Sequence, residues 1–414
     1  MIFFLELCYK AQEMDDEKRV SEMNADVIKG SIFFMCSSVF MILINKAVTT
    51  YSAIAVSILI FYQNLATLFI LKCKNWNTSE VNYTVLKHWL PCAFFFTINI
   101  YSSLQSLRYI NVATFSIFRN MQPLLVFVIT TVVLNFSAAY IQDKETLHKI
   151  ERIRVLNPTL DVNSLAFLSY IVLGTLIYAA NDLEFCIEGY TWACIHILSM
   201  SLYSIAVKYK IVMTVVVKDL EPSLQSEEEE AQPTNDVVVY DREMGAEEMS
   251  WYNNVISLPI LLFCLVAEFS VQNMHHSKVN ASLHKWIWEP VQECFWPETE
   301  AVPMCPAIVL SSFFGSYFVS VSGFYIQKLI TPISWLTLNN ASKIPAIILS
   351  VVFFRVLLNQ FEICGLVVSL SAAYFYSVAQ KNSAVFSDLL GIMCHVIYFV
   401  IFMMIIVVHY TYEY

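Results

Sequence analysis

Charged side chains are scarce in this chain of 414 residues: Asp, Glu, Lys and Arg make up 14% of it, whereas 57% is hydrophobic. Average soluble domains are about one-quarter charged, so this composition excludes an ordinary soluble protein. The mean hydropathy of +0.59 agrees. The sequence therefore predicts an all-α polytopic membrane protein, because the apolar residues gather in runs near the ~20 residues that a membrane-spanning helix needs.

Enzyme signatures are also missing. The sequence contains no HExxH, GxSxG, P-loop or GxGxxG pattern, and its 11 cysteines include no CxxC pair. The histidines His275, His276 and His284 lack regular metal spacing. We therefore predict no catalytic residue, metal, cofactor or nucleic-acid partner. A membrane-embedded transferase remains an alternative, although it would need an acidic metal site, and the acidic residues here lie in a low-complexity linker.

Ten apolar runs predict ten membrane-spanning helices, with Leu389–Val408 long enough to form an eleventh. The ten runs are Gly30–Thr49, Ser52–Leu71, Trp89–Leu107, Val112–Phe136, Ser164–Ala180, Gly189–Val207, Tyr252–Phe269, Ala307–Ile326, Ile333–Leu357 and Phe361–Ala379. If ten helices alternate, the Lys and Arg residues near their ends fall on one side, which predicts a cytosolic N-terminus. The loop 271–305 then faces a lumen, and its Asn280-Ala281-Ser282 is a candidate glycosylation site.

The order of segments predicts two halves of five helices each. We expect a cytosolic tail at 1–29, a first repeat at 30–180 with a cytosolic insertion at 137–163, and a sixth helix within 181–217. The rest of the second repeat occupies 251–381, and an apolar C-terminal segment occupies 382–414. Between the halves, 218–250 carries eleven acidic residues against two basic ones, which is typical of a solvated linker.

An internal match favours duplication of a five-helix unit. Gln105 precedes Pro123 by eighteen positions, and Gln327 precedes Pro345 by the same eighteen. In transporters built from such repeats, the substrate binds at the repeat interface near mid-membrane. The alignment sets Asn120 against Ser342, and Arg119 beside Asn120 is a buried cation candidate.

The segment Trp335–Pro345 is a polar island with a lysine inside an apolar run. At a helical period Trp335, Asn339, Ser342 and Lys343 fall near one face. A charge at membrane depth costs about 2.5–3.5 kcal/mol on insertion scales, so it is retained where it faces a cavity or a partner. We interpret this face as a ligand-binding face, and the alternative is a helix-end lysine that reaches the headgroups.

Asn253 and Asn254 form a second candidate site in the seventh predicted span. A carboxamide presents a donor and an acceptor together, which suits the edge of a purine or a pair of ribose hydroxyls. The alternatives are an asparagine contact between helices and a helix N-terminal position, for which Ser250 would be the N-cap. Cations, amides and aromatic rings without a chain of carboxylates favour a compact anion that bears a ring.

These residues resemble a known family. Trp251-Tyr252-Asn253-Asn254 is similar to the Phe-Tyr-Asn-Asn motif of Golgi GDP-mannose transporters, which belong to the nucleotide-sugar branch of the drug/metabolite transporter superfamily. Asn339-Asn340-Ala341-Ser342-Lys343 resembles an altered form of their Gly-Ala-Leu-Asn-Lys motif. The resemblance covers about residues 30 to 381.

The resemblance implies a ten-helix antiporter of the Golgi or ER membrane that brings a GDP-sugar, GDP-mannose above all, into the lumen in exchange for GMP. Tyr252, Asn253 and Asn254 would then recognise the guanine nucleotide, and Lys343 with Asn339 and Ser342 would face phosphate and sugar. A transporter of UDP-sugars or phosphate-sugars remains an alternative, and the altered lysine motif leaves open a transport-inactive scaffold. The sequence does not decide whether the chain forms a homodimer.

Overall fold

The computed structural model of the chain describes residues 17–74, 83–140, 162–182, 184–224, 245–275, 283–295, 305–329, 332–356, 358–381 and 398. Twelve helices and no strand occur within these residues. The helices are α1 (Glu17–Tyr51), α2 (Val56–Cys73), α3 (Tyr83–Tyr109), α4 (Val112–Arg119), α5 (Gln122–Tyr140), α6 (Val162–Asn181), α7 (Ile187–Leu224), α8 (Ala246–His275), α9 (Leu283–Phe295), α10 (Cys305–Leu329), α11 (Pro332–Phe354) and α12 (Gln360–Lys381).

The predicted all-α membrane fold is confirmed in its coarse form. Each predicted span falls on helical residues, and seven regions of the described residues are long and apolar enough to cross a membrane. Two further apolar helices, Leu338–Phe354 and Gln360–Tyr376, are shorter. Large apolar side chains also face outward, as at Phe69, Phe263 and Val352, which are 70%, 75% and 67% exposed. An apolar outer surface is what lipid requires, so the chain is a multi-pass membrane protein.

Several predicted boundaries differ from the observed ones. Helices α7 and α8 both extend into the predicted acidic linker, since α7 ends at Leu224 and α8 begins at Ala246. Glu247 and Glu248 lie in the first turn of α8, where carboxylates stabilise a helix through its macrodipole. The predicted lumenal loop contains the unforeseen helix α9. Asn280, the insertion 141–161 and the C-terminal segment apart from Tyr398 lie outside the described residues.

The helix pairs that pack together set the architecture. Helix α3 packs on α7 and α1 on α10; α8 packs on α3 and α2 on α10; α5 packs on α7 and α11 on α1. Two further pairs are α2 with α8 and α6 with α12. At the α6–α12 crossing, Gly174 and Gly365 let the backbones touch: a Cβ on Gly174 would lie 2.6 Å from the backbone nitrogen of Ser369.

Candidate functional site

The fourth predicted span is broken where its polar residues lie. Helix α4 ends at Arg119 and α5 begins at Gln122, and the backbone N–H of Asn120 donates to the carbonyl oxygen of Ile117 at 3.1 Å in the turn between them. Pro123 explains the break, because it lacks an N–H and its ring clashes with the carbonyl four residues earlier. The predicted helix is interrupted here at residues 120–121, although Val112–Val132 is still one candidate membrane span. The break places Arg119 and Asn120 at a helix end inside the bundle.

Lys343 is buried in α11 and bound by neutral acceptors. Its Nζ donates to Oδ1 of Asn120 and to Oδ1 of Asn340, each at 2.7 Å, and its side chain is 2% exposed. The Nδ2 of Asn120 in turn donates to Oγ of Ser369 in α12 at 3.1 Å. Within the described residues no carboxylate forms a salt bridge with this ammonium. The lysine therefore ties the α4–α5 turn to α11 without having its charge neutralised.

A second buried cation lies at the end of α4. Arg119 is 8% exposed, and its Cζ lies 5.7 Å from the ring centroid of Phe115. The Nε of Arg119 and the Nδ2 of Asn340 are both buried without a hydrogen-bond partner in the structure. Unpaired buried donors are unfavourable by about 1–3 kcal/mol each, and by more where they are charged. We call Arg119, Asn120, Asn340 and Lys343 the lysine cluster.

His196 in α7 extends this group, and the sequence analysis missed it. Its Nδ1 lies 3.0 Å from the carbonyl oxygen of Asn99, which can only accept, so Nδ1 carries the proton. Its Nε2 is buried without a partner, and its ring centroid lies 4.9 Å from that of Phe115. A single histidine in an apolar span gave no motif to follow. Only the fold brings it to the same phenylalanine ring as Arg119.

Within α11 the amide that binds Lys343 is that of Asn340, which the sequence analysis did not single out. A long helical side chain leans toward the preceding turn, so a partner three residues earlier is within its reach. Asn339 is buried, and its carbonyl oxygen accepts from Oγ of Ser342 at 2.8 Å within the helix. Asn339 and Ser342 therefore lie beside the lysine cluster in sequence and bond to each other, whereas the ammonium of Lys343 bonds to Asn120 and Asn340.

Trp335 lies in an apolar environment. Its ring centroid is 4.6 Å from that of Phe34 in α1, and it packs against a cluster that includes Ile326 and Leu338. This contact joins α11 to α1 and α10. Trp335 and Lys343, which were predicted to share one face, thus have different surroundings. The indole packs against apolar side chains of other helices at one end of α11.

Asn253 is fully paired within the protein. Its Oδ1 accepts from Nε1 of Trp89 in α3 at 2.7 Å, and its Nδ2 donates to the hydroxyl of Tyr203 in α7 at 3.2 Å. The side chain is completely buried. We call Trp89, Tyr203 and Asn253 the asparagine cluster, which joins three helices through one amide.

The neighbours of Asn253 are also engaged. The Nδ2 of Asn254 donates to the carbonyl oxygen of Ser250 at 2.7 Å, and Oγ of Ser250 lies 2.8 Å from Oγ of Ser320 in α10. Tyr252 is buried in an apolar cluster with Trp89. Helix α8 begins at Ala246, so the alternative in which Ser250 caps the helix is wrong and the asparagines lie in the helix interior.

Helix α7 brings the two clusters to one face of the bundle. His196 and Tyr203 are seven residues apart, which is two turns of helix and a rise of about 10 Å. Beside Tyr203, Oγ of Ser204 accepts from Nε2 of Gln122 at the start of α5. Helix α7 therefore contacts the asparagine cluster through Tyr203 and the ring of Phe115 beside Arg119 through His196.

The helical membrane fold and its buried polar groups together indicate a class of membrane protein. No group of three or more His, Cys, Asp and Glu residues that could hold a metal occurs in the described part of the chain. Buried cations and amides inside a bundle of membrane helices are typical of carriers for anionic solutes, because such groups are retained where they line a substrate path.

Comparison with known proteins gives a narrower likeness. The chain is 24% identical over 183 residues to GDP-fucose transporter 1 of Arabidopsis thaliana and 24% identical over 193 residues to GDP-mannose transporter GONST3 of the same plant. These matches cover 43% and 45% of this chain, which spans about half the length of both relatives, 47% and 46%. A GDP-mannose transporter of Meyerozyma guilliermondii is 21% identical over 363 residues, 85% of each chain. No family model matches. The resemblance to nucleotide-sugar transporters is confirmed.

Proposed function

We propose that this protein is a nucleotide-sugar antiporter that moves a GDP-sugar, in the first place GDP-mannose, across an internal membrane in exchange for GMP. The observation that carries the proposal is the lysine cluster, which holds two buried cations and unpaired donors but no carboxylate partner within the described residues. A diphosphate supplies the missing negative charge and accepts from those donors. Binding an anion there offsets the unfavourable burial of the cations.

The broken fourth span supports the same role. Discontinuous helices mark the sites of many secondary transporters, because helix ends there present free backbone groups at membrane depth. In this protein the break between α4 and α5 lies next to Lys343, which reaches across it to Asn120. The cation and the helix end therefore share one site.

The guanine base of the nucleotide is assigned to the part of α7 that contacts the asparagine cluster. The rise of about 10 Å between His196 and Tyr203 suits a ligand whose ring and phosphates lie at opposite ends. Tyr252, Asn253 and Asn254 carry the motif resemblance, and the amide nitrogen of Asn254 bonds to Ser250 within α8. Asn339 and Ser342 are assigned to the sugar end beside Lys343.

Two five-helix halves account for the helix pairing. In the proposed duplication, α1, α2, α3, α4–α5 and α6 correspond in order to α7, α8, α10, α11 and α12. Exchanging each helix for its counterpart turns the α3–α7 pair into α10–α1, the α8–α3 pair into α2–α10, and the α5–α7 pair into α11–α1, and all of these pairs are in contact. The pairs α2–α8 and α6–α12 map onto themselves. This exchange supports the division into repeats at 30–180 and 181–381, joined by the linker, which rock around a central site.

Orientation and location complete the proposal. The Lys and Arg bias at the helix ends favours a cytosolic N-terminus, and Cys294 at the end of α9 is disulfide-bonded. Disulfides persist in oxidising compartments such as the ER lumen, so this disulfide supports a lumenal position for the 271–305 segment with Asn280. The proposed location is the Golgi or ER membrane.

Counterflow in proteoliposomes tests the function. Vesicles preloaded with GMP should accumulate labelled GDP-mannose or another GDP-sugar, whereas vesicles preloaded with UMP should not. UDP-sugars and a phosphate-sugar serve as competitors in the same assay. Exchange of UDP-sugars for UMP alone would assign the protein to another substrate class, and the absence of any exchange would favour a scaffold.

A further inference from the structure

An aromatic surface on α6 and α12 is filled by a residue from the C-terminal segment. The rings of Phe167 in α6 and Phe375 in α12 stack with centroids 5.7 Å apart. The ring of Tyr398 stacks on Tyr170 of α6 at 4.5 Å and 22°. Its hydroxyl donates to Oγ of Ser371 in α12 at 2.8 Å, and its side chain is 6% exposed. Tyr398 is therefore bound to both helices.

These contacts lie midway along both helices. Ser371 is halfway along α12, eleven residues after Gln360 and ten before Lys381, and Tyr170 lies near the middle of α6. Each half of α12 therefore rises about 15 Å, half the thickness of the hydrocarbon core. An apolar tail that stayed at the membrane surface would not bring Tyr398 to this depth.

The residue numbers fit an antiparallel pair with α12. Residues 389–408 contain no Asp, Glu, Lys or Arg, and Tyr398 is the tenth of these twenty residues. The connection 382–388 is seven residues long, within the ~2–8 residues usual between neighbouring helices. Ser371 lies eleven residues before this connection begins at residue 382, and Tyr398 lies ten after it ends at residue 388, so the two are nearly equally far from it. In a helical hairpin, residues equally far from the connection lie opposite each other.

We propose that residues 389–408 cross the membrane as an additional span, antiparallel to α12 and packed on the α6–α12 surface through Tyr398. The two ends of the chain then lie on opposite sides of the membrane, with Tyr414 in the lumen when the N-terminus is cytosolic. The span also covers Phe167, Tyr170 and Phe375 from within the chain, so this surface is closed to a second copy of the protein. The inference does not depend on the proposed substrate.

Glycosylation tags test the crossing. An Asn-Ala-Thr acceptor on a flexible linker is added after Tyr414 in an Asn280→Gln background, and the same tag is added to a chain that ends at Asp388 as the matched control. We expect a glycan on the full-length chain and none on the truncated one. A tag at the N-terminus should remain unmodified. Glycosylation of neither C-terminal tag, together with cleavage of the full-length tag by protease added outside sealed vesicles, would overturn the proposal.

Thiol cross-linking tests the contact independently of orientation. With Cys364 and Cys394 replaced by serine, the pair Ser371→Cys and Tyr398→Cys should be joined within one chain by a short bis-maleimide, which spans the distance that the tyrosine ring fills in the native contact. The control pair Ser371→Cys and Val396→Cys should not, because two residues turn a helix by about 200°. Equal cross-linking of both pairs, or of neither while Tyr398→Phe leaves the protein folded, contradicts the antiparallel packing. Cross-links between two chains would instead assign this surface to a dimer.

Discussion

The lysine cluster and the asparagine cluster are both buried between helices, yet they differ in how completely their polar groups are paired. Asn253 uses its oxygen and its nitrogen on Trp89 and Tyr203. Arg119 and Asn340 each leave a buried nitrogen without a partner. A paired amide fixes helix positions, whereas unpaired cationic donors are unfavourable unless a ligand binds them.

This difference separates two contributions to the proposed transport. The lysine cluster supplies charge that only the ligand balances, so its variants should change binding more than folding. The asparagine cluster supplies contacts that hold α3, α7 and α8 together, so its variants should change folding as well as binding. Measuring stability and exchange on the same variants therefore distinguishes the two clusters.

The largest effect is expected at Lys343. Lys343→Ala should abolish counterflow exchange while the protein still folds, because it removes a buried charge that forms no salt bridge in the described structure. Lys343→Arg should retain some binding but slow turnover, since a guanidinium holds a phosphate in one bidentate geometry. Uptake by proteoliposomes and thermal unfolding of the purified protein give the two readouts.

The matched control is Lys87→Ala, which removes an exposed lysine near the start of α3. It should leave uptake at the parental rate. Parental exchange by Lys343→Ala would place the central site elsewhere and remove the main support for the proposed mechanism.

Replacing Arg119 should have a smaller effect than replacing Lys343, and it should lower nucleotide affinity without lowering stability. Arg119→Leu removes one charge-assisted interaction with phosphate, worth about 1.5–3 kcal/mol, or about 10–100-fold in affinity. Stability should stay equal or rise, because replacing a buried, unpaired charge by an apolar side chain removes its desolvation penalty. Titration with GMP measures the affinity. A fall in stability with unchanged affinity would show that Arg119 serves packing.

Asn253 should combine a moderate loss of stability with weaker nucleotide binding. Asn253→Ala leaves the indole N–H of Trp89 without its acceptor and the hydroxyl oxygen of Tyr203 without its donor, at a cost of about 1–3 kcal/mol. Trp89→Phe is the control, since it breaks the same contact and leaves the amide in place. If Asn253 reads guanine, Asn253→Ala should weaken GMP binding more than Trp89→Phe does. Equal effects on both GMP binding and unfolding would make Asn253 structural.

The sequence predicted much of the fold because membrane helices leave a direct signal. Long apolar runs located every helical region except α9, and the position of Lys343 inside such a run drew attention to it. The repeat match between Pro123 and Pro345 pointed to the right turn for Asn120. These inferences depend on one segment at a time or on a simple spacing.

The sequence failed where the outcome depends on contacts between distant segments. Pro123 breaks its helix, while Pro345 at the matching position remains inside α11. The same residue type therefore gave two local structures. His196 had no motif, and the choice of Asn340 over Asn339 depends on where the α4–α5 turn holds Asn120. A pattern along one helix does not contain that information.

The smallest effect is expected at Lys74, an exposed cation that extends the comparison to the bundle surface. Its Nζ lies 2.8 Å from Oε1 of Glu247 at the start of α8, and its side chain is 60% exposed. The hydrogen bond to Glu247 raises the pKa of Lys74 above its ordinary value. The stabilisation is therefore fully present below the unfolded-state pKa of about 10.4 and is lost as pH rises through the higher folded-state pKa.

Exposed pairs contribute less than about 1 kcal/mol, and salt screens them. Lys74→Ala should thus lower the unfolding temperature slightly at pH 7 and low salt, and not at high salt or at a pH well above the folded-state pKa, with Lys72→Ala as the neighbour control. A loss that persists in high salt would mean that the side chain acts through packing instead of charge.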